Sequence, residues 1–98
     1  MIRHILLIQF KDTASPEQIQ EVERLFALIP SQVEGVVATE WGPNNSPEEK
    51  NKNYTHAVMM TFSDERGRST YLPHPAHDAL RAVFKPLVED IIVFDYSC

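Results

Sequence analysis

The stretch from Ile2 to Phe10 is apolar on both of the faces that an extended strand would have. Ile2, His4, Leu6, Ile8 and Phe10 would point to one side of the strand, and Arg3, Ile5, Leu7 and Gln9 to the other. Either face would leave apolar surface in water if it stayed uncovered. This strand therefore predicts a sheet that is covered on both sides, which limits how the remaining elements can pack.

The next segment carries the signals of a helix start. Ser15 is a good N-cap, Pro16 suits the first helical position, and Gln18 completes a capping box. An apolar stripe follows at helical spacing, formed by Ile19, Val22, Phe26 and Ile29. Pro30 should end this helix, because proline lacks a backbone N–H and clashes with the preceding turn.

Three further strands are expected, at 36–41, 54–62 and 91–96, with an exposed loop at 42–53. A short helix should begin at Ser63 or Asp64 and run to Leu72. The segment Pro73-His74-Pro75 interrupts it before a second helical piece, which Pro86 should end or kink. The order is β-α-β-β-α-β in one domain spanning 1–98, which is an α+β, ferredoxin-like pattern with an antiparallel sheet.

Helices on one face of such a sheet leave the other face open. Ile5, Leu7, Ala57 and Met59 would then contact water, and a monomer rarely exposes an apolar patch of several hundred Å². The simplest cover is the same face of a second copy. The sequence therefore predicts a homodimer that pairs through its sheet faces.

Composition narrows the classes of partner. The formal net charge is −5 and the nine Lys and Arg residues are scattered, which disfavours nucleic acid and anionic membrane surfaces as partners. The single cysteine, Cys98, cannot form an internal disulfide, and no apolar run is long enough to span a bilayer. No signal peptide is recognised, so a cytoplasmic location is expected.

Four polar residues stand out against apolar surroundings: His4, His56, Tyr71 and His77. A pocket between sheet and helices could gather them around one point. Histidine titrates near pH 6.5, so His77 could serve as a general base, while the Tyr71 hydroxyl could orient it or polarise a carbonyl. The competing interpretation is that these side chains are hydrogen-bonded members of the core.

A metal site is the other chemical alternative. His74 and His77 are three residues apart and Asp78 is adjacent, but the sequence contains no HExxH motif and no cysteine pair. No glycine-rich phosphate loop is present, and Cys98 has no surroundings that would make it a nucleophile. We therefore expect neither a metal nor an organic cofactor.

Several segments together resemble the Dabb family, the stress-responsive A/B barrel proteins. They are His4, Tyr54-Thr55-His56, the run from Tyr71 to His77 and Phe94-Asp95-Tyr96. The Tyr-x-x-His-Pro-x-His pattern of Tyr71–His77 is the most specific, and the resemblance covers about residues 2–96. It implies a ferredoxin-like monomer and a dimeric α/β barrel.

Within this family the segments are most similar to plant polyketide cyclases. That resemblance implies His77 as catalytic base, Tyr71 as its hydroxyl partner, and His4 and His56 as substrate-binding histidines. Phe26 takes the place of a tyrosine and would contact the substrate. The implied reaction is a cofactor-free aldol condensation of a small carbonyl compound. The alternatives are a non-catalytic stress-response binding or scaffold protein and an accessory subunit that acts through protein contacts.

Overall fold

A computed structural model describes residues 1–98 and has the element order expected from the sequence. The strands are β1 (Ile2–Phe10), β2 (Val36–Pro43), β3 (His56–Phe62) and β4 (Val88–Ser97). The helices are α1 (Pro16–Gln32), α2 (Glu65–Tyr71) and α3 (Pro75–Phe84), and a 3-10 turn (Lys85–Leu87) follows α3. All strand pairs are antiparallel, in the order β2-β3-β1-β4. The α+β, ferredoxin-like prediction is thus confirmed.

The N-terminal end of α1 follows its sequence signals, whereas the C-terminal end does not. Ser15 and Gln18 form the expected capping box. The prediction that Pro30 ends the helix is wrong, since α1 continues to Gln32. Pro30 cannot donate to the carbonyl of Phe26, but the Thr39 hydroxyl of β2 donates to that carbonyl at 3.2 Å. A side chain from the sheet thus replaces the missing helical donor.

The core lies between α1 and the sheet. Val22, Phe26 and Ile29 are the buried residues of α1, and they form one cluster with Val58, Met60 and Phe62 of β3. In β1 the buried set is the predicted one: Ile2, His4, Leu6, Ile8 and Phe10. The twofold alternation of this strand therefore places His4 on the helix-covered face of the sheet.

The second helical region is divided as predicted, and Asp64 caps α2 by accepting from the Gly67 N–H. Gly67 lies inside α2, where glycine is unfavourable, because the backbone of Gly35 passes against it. A Cβ atom on Gly67 would lie only 2.6 Å from the Gly35 carbonyl oxygen. Gly35 itself has a φ of +91°, a conformation that favours glycine. The two glycines let α2 approach the start of β2.

Strand boundaries differ from the prediction by two or three residues. β2 extends to Pro43, β3 begins at His56, and β4 already begins at Val88. The connection between β2 and β3 is therefore 44–55 rather than 42–53. At its base the Asn44 N–H donates to the Thr55 carbonyl, which continues the antiparallel pairing beyond the turn-forming residues.

The sheet face opposite the helices is apolar and open. It includes Phe94 of the edge strand β4, which pairs with Ile5 and is 60% exposed. Leu7 and Ile92, the next pair along, are also exposed. We call this surface, formed around Ile5, Leu7, Ile92 and Phe94, the open face. None of the helices is both long enough and apolar enough to cross a membrane.

Candidate functional site

A pocket of about 360 Å³ lies between α2 and α3 on one side and β1 and β4 on the other. Its walls are mainly apolar, and Phe26 of α1 contributes to them. The polar residues that line it are His4, Tyr71, His77, Arg81 and Lys85. The predicted residues His4, Phe26, Tyr71 and His77 are therefore brought together, in a space that core side chains leave open.

The break between α2 and α3 fixes two histidines. In an unbroken helix the Ala76 N–H would donate to the Leu72 carbonyl. Here the Ala76 N–H donates to Nδ1 of His74 at 2.9 Å. The Leu72 carbonyl instead pairs with Nδ1 of His77 at 2.7 Å. One backbone hydrogen bond is thus replaced by two that involve imidazoles, and the position of His77 follows from the break.

The bond to Leu72 determines the chemistry of His77. A carbonyl oxygen only accepts, so Nδ1 must carry the proton, and in neutral His77 Nε2 keeps its lone pair. Burial lowers the pKa of His77 below its ordinary value, although the hydrogen bond to Leu72 opposes that effect. The positive charge of Arg81 lowers it further. His77 is therefore neutral at pH 7, with Nε2 available as a base.

Tyr71 packs beside this base. The two ring centroids are 4.3 Å apart and the planes are inclined by 45°, so the rings are stacked obliquely rather than joined by a hydrogen bond. The phenol ring is almost wholly buried, and burial raises the pKa of its hydroxyl. The hydroxyl therefore stays protonated and can donate a hydrogen bond to an oxygen atom in the pocket.

His4 reaches the same pocket from β1 and is held by an ionic network. Its Nδ1 lies 2.7 Å from Oδ1 of Asp95, which is its pairing partner on β4. The other carboxylate oxygen of Asp95 accepts from Nη1 of Arg68 at 3.1 Å. The His4 and Tyr71 ring centroids are 6.4 Å apart. Tyr71 thus neighbours both pocket histidines.

Sequence reasoning about the site missed Asp95 and Arg68. A signal was present for Asp95, because Ile91, Val93 and Asp95 alternate along one face of β4. An acidic residue at the end of an apolar strand face usually has a partner. Arg68 carried no such signal, since its role depends on how α2 docks against the sheet.

His56 does not belong to this pocket, so the prediction of a single group of four residues is wrong. On β1, His4 pairs with Met60 and Ile8 pairs with His56, so the two histidines are separated by four strand positions, or about 13 Å. His56 packs against Phe10 and Trp41 instead, with ring centroids 5.2 and 5.4 Å away.

The surroundings of His56 define a second region. Its Nδ1 is hydrogen-bonded to the Thr55 hydroxyl at 2.8 Å, and burial lowers the pKa of His56. A cleft of about 330 Å³ near it is lined by Leu7, Tyr54 and the loop after β2. Any ligand that contacts His56 would thus occupy a different cavity from one that contacts His77.

Nowhere in the chain do three or more histidine, cysteine, aspartate or glutamate side chains converge as metal ligands. His74, which the spacing with His77 and Asp78 had made a candidate ligand, uses Nδ1 to cap α3.

The fold and this pocket define a small ferredoxin-like protein with a His-Tyr-His site between the helices and the sheet. Residues 2–98 match the model of the stress responsive A/B barrel domain. The chain therefore belongs to the Dabb family.

Two relatives and one solved structure illustrate the similarity. A stress-response A/B barrel domain-containing protein, HS1 of Arabidopsis thaliana, is 34% identical over 98% of this chain and 88% of its own length. Olivetolic acid cyclase of Cannabis sativa is 26% identical over 98% of this chain and 95% of its own. A dimeric ferredoxin-like protein of unknown function from Thermobifida fusca superposes with a TM-score of 0.85 at 27% identity, covering 99% of this chain and 90% of that one.

Proposed function

We propose that the pocket binds a small carbonyl compound with an apolar body and catalyses proton transfer beside the carbonyl without a cofactor. His77 is the general base and Tyr71 is its hydroxyl partner. His4 and Phe26 complete the walls that hold the substrate. This chemistry includes the aldol type of ring closure, in which the carbon that loses the proton attacks a second carbonyl of the same molecule.

The observation that carries the proposal is the hydrogen bond between His77 and the Leu72 carbonyl. It fixes the tautomer with a basic Nε2, beside a protonated phenol and inside a mainly apolar pocket. A base whose pKa lies somewhat below neutral is unprotonated under working conditions. A hydrogen-bond donor in a desolvated site stabilises the negative charge that develops on the carbonyl oxygen.

The mechanism follows from these groups. His77 Nε2 removes a proton from the carbon next to the carbonyl, and the Tyr71 hydroxyl donates to the oxygen of the enolate. Such a base contributes about 10²–10⁴-fold in rate. The similarity to olivetolic acid cyclase supports this class of reaction, since that relative is named as a cyclase.

The test uses a simple ketone, nonan-2-one, that exchanges slowly by itself. In D2O the protons on the carbon beside its carbonyl should exchange faster with the protein than without it, measured by proton NMR. His77→Gln should reduce this acceleration by about 10²–10⁴-fold. The rate should also decline on acidification below about pH 6.5, because burial places the pKa of His77 under that value and the base becomes protonated.

His56→Gln is the matched control, because His56 is also a partly buried histidine with a lowered pKa but lies outside the pocket. It should exchange the ketone at the wild-type rate. Equal rates for wild type and His77→Gln would refute the catalytic role. Saturable ketone binding without any exchange would favour a non-catalytic binding protein.

We also propose that the chain forms a homodimer through the open face. Phe94 and its neighbours would otherwise remain in water, and the Thermobifida fusca relative is described as dimeric. Sedimentation equilibrium at micromolar concentration should give twice the monomer mass of 11.2 kDa. Phe94→Asp should shift the mass to that of the monomer, whereas Leu28→Asp, at an exposed position of α1 on the other side of the sheet, should not. A wild-type mass near that of the monomer would contradict the dimer.

A further inference from the structure

We propose that Asp95, held by Arg68, is a positioning residue that keeps His4 as the proton donor of the pocket, opposite the base His77. This inference rests on the proposed function and extends it from one histidine to a pair with divided roles. It assigns a task to the one ionic network that connects α2, β1 and β4.

The two pocket histidines are anchored in the same way but by different groups. Each uses Nδ1 for a bond of 2.7 Å and has Nε2 free of any partner within the chain. The anchor of His77 is a neutral carbonyl, whereas that of His4 is a carboxylate. A carboxylate that accepts from Nδ1–H orients an imidazole and stabilises its protonated form, while a carbonyl mainly orients it.

The surroundings of His4 also favour His4 as the donor and His77 as the base. The groups around it are Asp95 on β4, Arg68 and Tyr71 on α2, and His77 on α3. Arg68 binds the second oxygen of Asp95, which holds the carboxylate in place and leaves Oδ1 for His4. A positive charge on His4 further lowers the pKa of His77. A proton donor at His4 and a base at His77 are thus compatible.

A ketone placed between the two Nε2 atoms would lose one proton to His77 and gain one from His4. The C–H bond beside the carbonyl breaks and its proton goes to Nε2 of His77. The Nε2–H bond of protonated His4 breaks and its proton goes to the carbonyl oxygen. The product is a neutral enol, and one positive charge has moved from His4 to His77. The Nε2–H of His77 then exchanges with D2O, so the reverse transfers restore the ketone with deuterium on the carbon.

Two substitutions separate the charge of Asp95 from its geometry. Asp95→Asn keeps one oxygen acceptor for Nδ1–H of His4, but loses the charge and the acceptor that Arg68 uses. Asp95→Ala loses all three. Asp90→Asn is the matched control, because Asp90 is also on β4 and also accepts a side-chain hydrogen bond, from the Tyr54 hydroxyl at 2.7 Å. Asp90 contributes nothing to the walls of the pocket.

Two readouts are measured for each variant: the kinetic constants kcat and KM for the exchange of nonan-2-one, and the protonation of each imidazole nitrogen by nitrogen-15 NMR. Asp95→Asn should leave His4 as the neutral ring with its proton on Nδ1, and lower kcat by about tenfold or more, with KM changed by less than about threefold. Asp95→Ala should lower kcat further and give His4 a mixture of tautomers, leaving that of His77 unchanged. Asp90→Asn should match wild type in both.

A wild-type kcat in Asp95→Asn would overturn the role of the charge. Nitrogen-15 shifts of His4 that are the same in Asp95→Ala as in wild type would overturn the positioning. The NMR readout does not depend on catalysis, so it tests the positioning of His4 even if the wild-type protein fails to exchange the ketone. That failure would refute the proposed function alone.

Discussion

The two halves of the helix layer use the same kind of apolar strand surface and reach opposite results. On the α1 side one unbroken helix of 17 residues covers β3, and Val58 is 0% exposed. On the other side α2 and α3 have 7 and 10 residues and are separated by Leu72-Pro73-His74. There, Val93 of β4 is 56% exposed although it points toward the helices.

The difference shows how a break in a helix can create a site. A continuous helix packs its stripe against the sheet and excludes space, as α1 does. The broken helix leaves a gap, and its broken ends supply the polar groups that face the gap. Tyr71 ends one piece, His77 lies in the first turn of the next, and the freed Leu72 carbonyl orients His77.

The largest expected effect is a difference in stability between two valines that both face the helices. Val58→Ala should lower the free energy of unfolding by about 1.5–3 kcal/mol, because it removes buried methyl groups and leaves a cavity. Val93→Ala should change it by less than about 0.5 kcal/mol. Urea denaturation at one protein concentration measures both. Equal losses of stability in the two variants would mean that the two halves are packed alike, which would contradict the difference described above.

Adding volume at the same two positions should sharpen the contrast. Val58→Phe should overpack the core and cost about 1–3 kcal/mol of stability. Val93→Phe should be close to neutral in stability, because the ring can occupy the pocket that Val93 lines. Titration of each variant with nonan-2-one, followed by ligand-observed NMR, should show weaker binding only for Val93→Phe. Undiminished binding to that variant would place the ligand elsewhere.

The smallest effect is a pH dependence of stability that both halves share. Burial lowers the pKa of His77 and of His56, so the folded state binds fewer protons than the unfolded state. Stability should therefore be full above about pH 6.5 and fall as the pH drops through the interval below that value. His77→Gln and His56→Gln should each flatten the fall, as measured by urea midpoints at about pH 5 and pH 7.5, on either side of the histidine titration. A steep fall in the double variant would assign it to other groups.

The sequence predicted the fold well because each element carried local signals of its own. The Ser15 capping box and the alternation of Ile2–Phe10 depend on neighbours in the chain, and both are found as expected. Pro30 was misjudged because the donor that compensates for it, Thr39, lies on another element. The reason for a glycine at position 67 inside α2 also lies outside its own element, since a Cβ there would meet the backbone of Gly35.

The site was predictable only where it depended on the break. His77 and Tyr71 flank Pro73 and Pro75, so their proximity follows from the chain itself. The position of His56 depended on register, because β1 and β3 run antiparallel and place His4 opposite Met60 rather than opposite His56. The contact of Arg68 with Asp95 depended on how α2 docks against the sheet. Residues that meet across elements were therefore the ones that a single sequence could not bring together.

The hydrogen bond between Thr39 and Phe26 also has a consequence for folding. With Pro30 in its last turn, α1 cannot satisfy the Phe26 carbonyl by itself and depends on a hydroxyl from β2. The end of the helix is therefore complete only when the strand has docked, which links a local event to a long-range one. The last turn of α1 and the edge strand β2 should open together in native-state hydrogen exchange, as one cooperative unit.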